Sequence, residues 1–222
     1  MNLDTPAFKI PEILAKELAR FLEEKIIYGE IPPETRLVEE EVVRQYQISR
    51  SPVREAFRIL EQDGLLVRDP RRGVRVAPLT RPDLDDIYIC RMALEGVAAQ
   101  AAAQHRTELH LTALTRAVEA LAAAFDAGIV RTYFERNVDL SNQILLASGN
   151  RTLHRLLGTV GKQALRYRFL AYSRTSNLMK LSIETNREIV DAIVHSRDRI
   201  ARTLTEDLIH HSWQTIRQTF ED

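Results

Sequence analysis

The stretch "QISRSPVREAFRILEQDG", residues 47–64, decides the reading of the fold. Arg50, Arg54 and Arg58 stand four residues apart in it, so on a helix they share one face. Val53, Phe57 and Leu60, at i, i+4 and i+7, form a separate apolar face. Either Ser49 or Ser51 can cap such a helix, Pro52 is tolerated in a first turn, and Asp63-Gly64 supplies the stop. A short helix that is buried on one side and arginine-rich on the other has the logic of a DNA recognition helix. The planar guanidinium fork binds phosphate or the O6/N7 edge of guanine. The same spacing also fits a solvated helix whose arginines pair with glutamates, so the surrounding elements must decide.

Working outward, apolar residues recur with helical spacing over residues 10–28 (Leu14, Leu18, Phe21, Leu22, Ile26), and Gly29 stands where a helix would stop. "IPPETRL" reads as a turn, because neither proline fits a helix interior. A short second helix fits residues 39–46. After residue 64 the period changes: "LLVRD" and "GVRVA" are short β-rich runs around "PRRG", which predicts a hairpin. The order helix, helix, helix, hairpin favours the DNA-reading interpretation. From Arg44 to Arg75 eight arginines face Glu55, Glu61, Asp63 and Asp69, a local basic excess in a chain of zero net charge. "PLTRP", residues 78–82, reads as a linker. Amphipathic helical segments then fit 83–105, 107–127, 130–147, 152–175, 180–195 and 198–219, which predicts an all-α antiparallel bundle.

The bulk numbers exclude several classes. With 222 residues, 45% of them hydrophobic, the chain can bury a sizeable core. The single cysteine, Cys90, forms no internal disulfide, which suits a reducing cytoplasm; as a lone thiol it reads as a core residue rather than a nucleophile. Apolar runs are interrupted by Arg, Glu or Gln within a few residues, so no membrane span is expected. The start, "MNLDTPAFKIPEIL", lacks the basic-then-apolar order of a signal peptide. Neither a Gly-rich phosphate loop nor a nucleophile–base motif is recognisable, which argues against an enzyme.

"RLVEEEVVRQYQISRSPVREAFRILEQDGLLVRDPRRGVRV" resembles the winged helix-turn-helix of the GntR transcription regulators, with "SRSPVREA", "DGL" and a downstream glycine as its specific marks. The second half resembles the FadR-type (FCD) ligand domain in "DLDDIYICRMALEGVAAQAAA", "ILLASGN" and "REIVDAI". The resemblance implies an N-terminal tail at 1–9, a winged helix-turn-helix DNA-binding domain at 10–77, the linker at 78–82, and a helical effector-binding and dimerisation domain at 83–222. It implies a mainly α fold with a β-hairpin wing. DNA contacts are carried over to Arg36, Ser49, Arg50, Ser51, Arg54, Arg72 and Gly73. Val38 and Gln47 replace the family's frequent Ser cap and Gly, which should weaken local caps by roughly 1 kcal/mol at most.

Many FCD domains hold a divalent metal with one Asp and three His. Aligned back from "SGN", the Asp position falls on Asn137 and the first His position on Ser141, while the second falls on Asn186 in "ETNREIVDAI". The last falls on Leu208, with His210 and His211 close by. Amides, a hydroxyl and a leucine make a poor divalent site, so no metal or other cofactor is expected. Rebuilding the site from Asp139 and His210 is disfavoured, because Asp139 projects about 200° away from Asn137 on a helix. His105, His110, His154 and His195 show no ligand spacing and read as surface or helix-end residues. Arg91 matches a family arginine that can pair with an effector carboxylate, and equally it can pair with Glu95 one turn on. Asn137, Ser141 and Asn186 would then be neutral walls of a pocket.

The resemblance implies a cytoplasmic, homodimeric transcription regulator, usually a repressor. Its partners would be a double-stranded DNA operator and a small organic acid, with no membrane. The alternative is a constitutive DNA-binding dimer whose pocket is vestigial.

Overall fold

The computed structural model describes residues 9–69 and 73–220. They form two compact units, Met1–Leu79 and Thr80–Asp222.

The first unit packs three helices on a small sheet. Helix α1 (Lys9–Ile27) buries Ala15, Leu18, Ala19, Leu22 and Ile26, one helical face, against α3. Strand β1 (Arg36–Leu37) precedes α2 (Glu39–Tyr46), and α3 (Arg50–Gln62) follows after a tight turn. Val53, Phe57 and Leu60 of α3 are completely buried, as their spacing predicts, and so is Ala56. Strands β2 (Leu66–Asp69) and β3 (Gly73–Val76) form the hairpin. The sheet order is β1-β3-β2, all antiparallel, with Arg75 opposite both Arg36 and Val67. Strand β1 corrects the reading of "IPPETRL" as turn alone: its last two residues pair with a strand far along the chain, which no local pattern reports.

The second unit is wholly helical among the described residues: α4 (Arg81–His105), α5 (Glu108–Asp126), α6 (Val130–Ala147), α7 (Arg151–Arg174), α8 (Ser176–Val194) and α9 (Asp198–Gln218). Helix α4 packs against α6, α7, α8 and α9, so it is the central element. It starts two residues earlier than expected: Thr80 caps it by accepting from the Asp83 N–H, and Pro82 sits in the first turn, where its missing N–H costs nothing. Helix α8 likewise starts at Ser176 rather than 180. His110 closes the N-terminus of α5 in a reciprocal capping box with Thr107. Cys90 is exposed rather than in the core, because α4 carries apolar residues on its outer face as well as its inner one.

Candidate nucleic-acid interface and effector cavity

In the first unit, the residues read as DNA-contacting gather on the start of α3 and the edge of the sheet. Ser49 is the N-cap of α3 but makes no side-chain cap bond, so the hydroxyl and the first N–H groups of the helix are left for another acceptor. Ser49, Arg50, Ser51 and Arg54 are all exposed. Arg36 is exposed on β1, and its guanidinium lies beside Gly73, 3.7 Å from where a Cβ would stand. Gly73 has φ +78°, a conformation that favours glycine at the turn into β3. Arg72, like Arg71, lies outside the described residues.

The arginine stripe is not bare. Arg54 Nε donates to Glu39 Oε2 at 2.8 Å, and Arg50 stands 3.7 Å from Glu40. Arg58 grips Glu55 with two bonds of 2.9 and 2.5 Å. Two of these carboxylates come from the first turn of α2, just before Arg44, so the basic excess counted from Arg44 onward overstates the charge of this face. The hydrogen bond to Glu39, and then its charge, holds the Arg54 guanidinium above its ordinary range. Exposed ion pairs contribute little to stability, so a phosphate or a guanine edge can replace the glutamates without large loss.

In the second unit, side chains from α4, α6, α7, α8 and α9 enclose a cavity of about 50 Å³. Arg91, Asn137, Ser141, Asn186 and Leu208, brought together from distant parts of the sequence, all line it. Asp139 does not: it is exposed and pairs with Arg136 at 2.9 Å. His210 and His211 are exposed as well, one and two residues past the wall residue Ile209, and His211 bonds the Asp207 carbonyl. His105, His154 and His195 are also exposed.

Arg91 pairs with Glu95 and also lines the cavity. Its Nε donates to Glu95 Oε1 at 2.7 Å, while its buried Nη1 has no hydrogen-bond partner. Burial opposes its charge, but the Glu95 carboxylate more than compensates and keeps its pKa raised. Tyr88 stacks beneath the guanidinium, 4.7 Å from it, with its own buried hydroxyl unpartnered. Burial pushes that phenol up to about 12.

Arg168, on α7, is a charged lining residue that the sequence reading missed. Its Nη2 donates to Asn137 Oδ1 at 2.5 Å and lies 3.4 Å from Ser141 Oγ. Tyr172 donates to the same Oδ1 at 3.2 Å, and Asn137 Nδ2 donates to Ser182 Oγ at 3.3 Å, so the amide orientation is fixed from both sides. Burial, and next the nearby Arg91 charge, push the Arg168 guanidinium below its ordinary range. The signal that could have found it is its inward register: Ala164, Arg168, Ala171 and Tyr172 share the buried face of α7.

A divalent metal does not fit this donor set. Asn137 already accepts from a guanidinium, which is itself a cation next to Ser141, and Leu208 offers no lone pair.

Comparison with known proteins agrees with both halves. The family signature described as the FCD domain matches residues 86–211, and that of bacterial regulatory proteins of the gntR family matches residues 14–76. An HTH-type transcriptional regulator of Bacillus subtilis, YdhC, is 29% identical over 202 residues, covering 90% of each chain. The HTH-type transcriptional repressor RspR of Escherichia coli is 27% identical over 215 residues, covering 93% of this chain and 92% of its own. Among solved structures, E. coli McbR/YncC superposes with a TM-score of 0.81 at 20% identity, over 93% of this chain and 98% of the other, which speaks for the fold.

Proposed function

Because the chain belongs to the FCD-domain regulators of the gntR family, which are DNA-binding transcription regulators and not enzymes, we propose that it is a homodimeric, cytoplasmic repressor whose operator affinity is set by a small organic acid. The observation that carries the DNA-binding half is the α3 surface: a helix buried on Val53, Phe57 and Leu60 that presents Arg50 and Arg54 to solvent from its first turns. Arg50 and Arg54 would enter the major groove and read base edges. Ser49, Ser51 and the free N–H groups at the helix start would hold phosphate, while Arg36, Arg72 and Gly73 would bring the wing to the backbone or minor groove.

The effector would sit in the cavity, with Arg91 for its carboxylate and Asn137, Ser141 and Asn186 as polar walls. Two contacts at the start of α4 would carry the effect outward within the helical unit. Tyr167, next to Arg168, accepts from the Thr80 N–H and donates to the Thr80 carbonyl, both at 3.1 Å. Trp213, next to the wall residue Ser212, donates to Asp85 at 2.6 Å. An occupant that shifts α7 or α9 would therefore move the start of α4, where the DNA-binding unit is attached. Self-association is supported by the outer face of α4, where Ile89 (51% exposed) and Val97 (37%) stand two turns apart.

The test is selection of binding sites from random DNA, followed by affinity measurements with and without candidate acids. A near-palindromic site bound about a thousandfold or more above scrambled DNA supports the reading. Equal binding to all sequences would sink it. A specific operator whose affinity no acid changes would leave the constitutive dimer instead.

A further inference from the structure

The cavity holds one more cation than anion. Among the described residues that line it, Arg91, Arg168 and Glu95 carry charge. Glu95 is committed to Arg91 Nε. Arg168 touches only neutral oxygens, those of Asn137 and Ser141. The donors left over, Arg91 Nη1 and the Tyr88 hydroxyl, are buried and unpartnered. A buried, unbalanced guanidinium is costly unless an anion meets it, and unfilled buried donors call for an acceptor.

We infer that Arg168 stands where a metal would otherwise supply positive charge, and that Arg168 and Arg91 together clamp one small monocarboxylate without any metal. This rests on the reading of the cavity as the effector site. Three observations narrow the ligand. The excess charge is a single positive one, so one carboxylate neutralises it and a dicarboxylate would bring a second, unmatched charge. The volume of about 50 Å³ admits an acid of a few carbons and not a drug-sized molecule. The remaining polar walls are neutral: Asn186 spends its Nδ2 on the Ser182 carbonyl and hydroxyl, at 2.8 and 3.2 Å, which leaves its Oδ1 to accept a hydroxyl from the acid. Asn137 is central to this chemistry. An aspartate there would give Arg168 a permanent counter-ion, whereas the amide holds the guanidinium in place and leaves its charge unmet.

The experiment is thermal unfolding of the full chain after EDTA treatment, at matched ionic strength. The probes are formate, acetate and glycolate, against malonate and the neutral amides formamide and acetamide. At least one monocarboxylate at about 20 mM should raise the unfolding midpoint by about 3 °C if it is well above its dissociation constant. Malonate and the amides should give no shift, and added zinc or nickel should add nothing to the acid response. Arg168→Gln and Asn137→Asp should each abolish the acid response, the first by removing the cation and the second by satisfying it internally. Arg168→Lys should keep part of it, because charge remains but the fork is lost. The inference is overturned if none of the three acids shifts the midpoint, or if the amides act as well as the acids. It is also overturned by a requirement for metal, or by an undiminished response in Asn137→Asp. If Arg168→Gln does not fold, the acid-against-amide comparison on the unaltered protein and the Asn137→Asp result still decide. Operator binding measured alongside separates the two readings. An acid that binds without changing operator affinity sustains the clamp and sinks the gating; gating by a metal-dependent or uncharged ligand does the reverse.

Discussion

The two units use arginine in opposite ways. On α3, Arg50, Arg54 and Arg58 are exposed and each has a glutamate within reach, so the face is electrically answered but loosely held. In the helical unit, Arg91 and Arg168 are buried, the one carboxylate of the cavity pairs with Arg91 alone, and Arg91 Nη1 is unpartnered. Water screens the first set, so exchanging a glutamate for a phosphate changes little and the surface is ready for a large polyanion. The second set is buried, so each missing partner costs more there. The first setting makes a surface whose partners can be exchanged, and the second suits the effector site proposed above.

That contrast is sharpest at the two glutamate partners. Glu95→Gln removes the one carboxylate of the cavity and leaves two buried guanidiniums in it with no anion. It should destabilise the protein by about 3 kcal/mol, the lower end for a broken buried pair because Glu95 is itself 19% exposed. Chemical denaturation with the slope compared to the parent protein measures this. A loss well under 1 kcal/mol would mean that the cavity is wet enough to screen its charges, and the contrast between the units would fail.

The next effect is on binding. Arg54→Ala should weaken operator binding by about tenfold to a hundredfold while barely changing affinity for scrambled DNA, if the side chain reads a base. Fluorescence anisotropy on both DNAs, across a salt series, separates this from phosphate contact, which would lower both affinities alike and flatten the salt dependence. Unfolding should be nearly unchanged, since Arg54 is held only by Glu39 across an exposed gap.

Much of this was legible in the sequence. Helical period, a few caps and the glycines at 29, 64 and 128 place most helix ends within two residues, because a helix is a local structure with local punctuation. Strand β1 was not legible: two residues gain strand character only by pairing with β3. The residues aligned with the pocket converge on one cavity, since helical register carries each of them inward. Arg168 escaped because α7 contains Arg166, Arg168 and Arg174 close together, and composition does not say which one faces the cavity. The glutamates that answer the α3 stripe escaped for a related reason: Glu39 and Glu40 sit on another helix and meet Arg54 and Arg50 only once the turn between α2 and α3 is formed.

That turn carries the third prediction. Gln47 ends α2 in the left-handed region, at φ 52° and ψ 40°, which strains a residue with a Cβ. Gln47→Gly should therefore stabilise the DNA-binding unit by about 0.5–1 kcal/mol, the relieved strain exceeding the entropy that glycine adds to the unfolded chain. Operator affinity should stay constant, because Ser49, Arg50 and Arg54 keep their positions. A simultaneous change in affinity would show that the turn sets the pitch of α3 rather than merely joining the helices.

The smallest effect on stability tests the surface half of the contrast most directly. Glu39→Gln removes the partner of Arg54 but leaves its hydrogen-bonding shape. The unfolding midpoint should move by no more than about a degree, because an exposed pair contributes little. DNA affinity should rise a fewfold at low salt, since a carboxylate that competes with phosphate for Arg54 is gone, and the gain should fade as salt screens the face. Glu39 and Glu95 each hold one arginine at 2.7–2.8 Å, so their geometry alone predicts equal roles. If Glu39→Gln instead cost as much stability as Glu95→Gln, burial would not be what separates the two arginine sets, and the displaceable character of the α3 face would have to be abandoned.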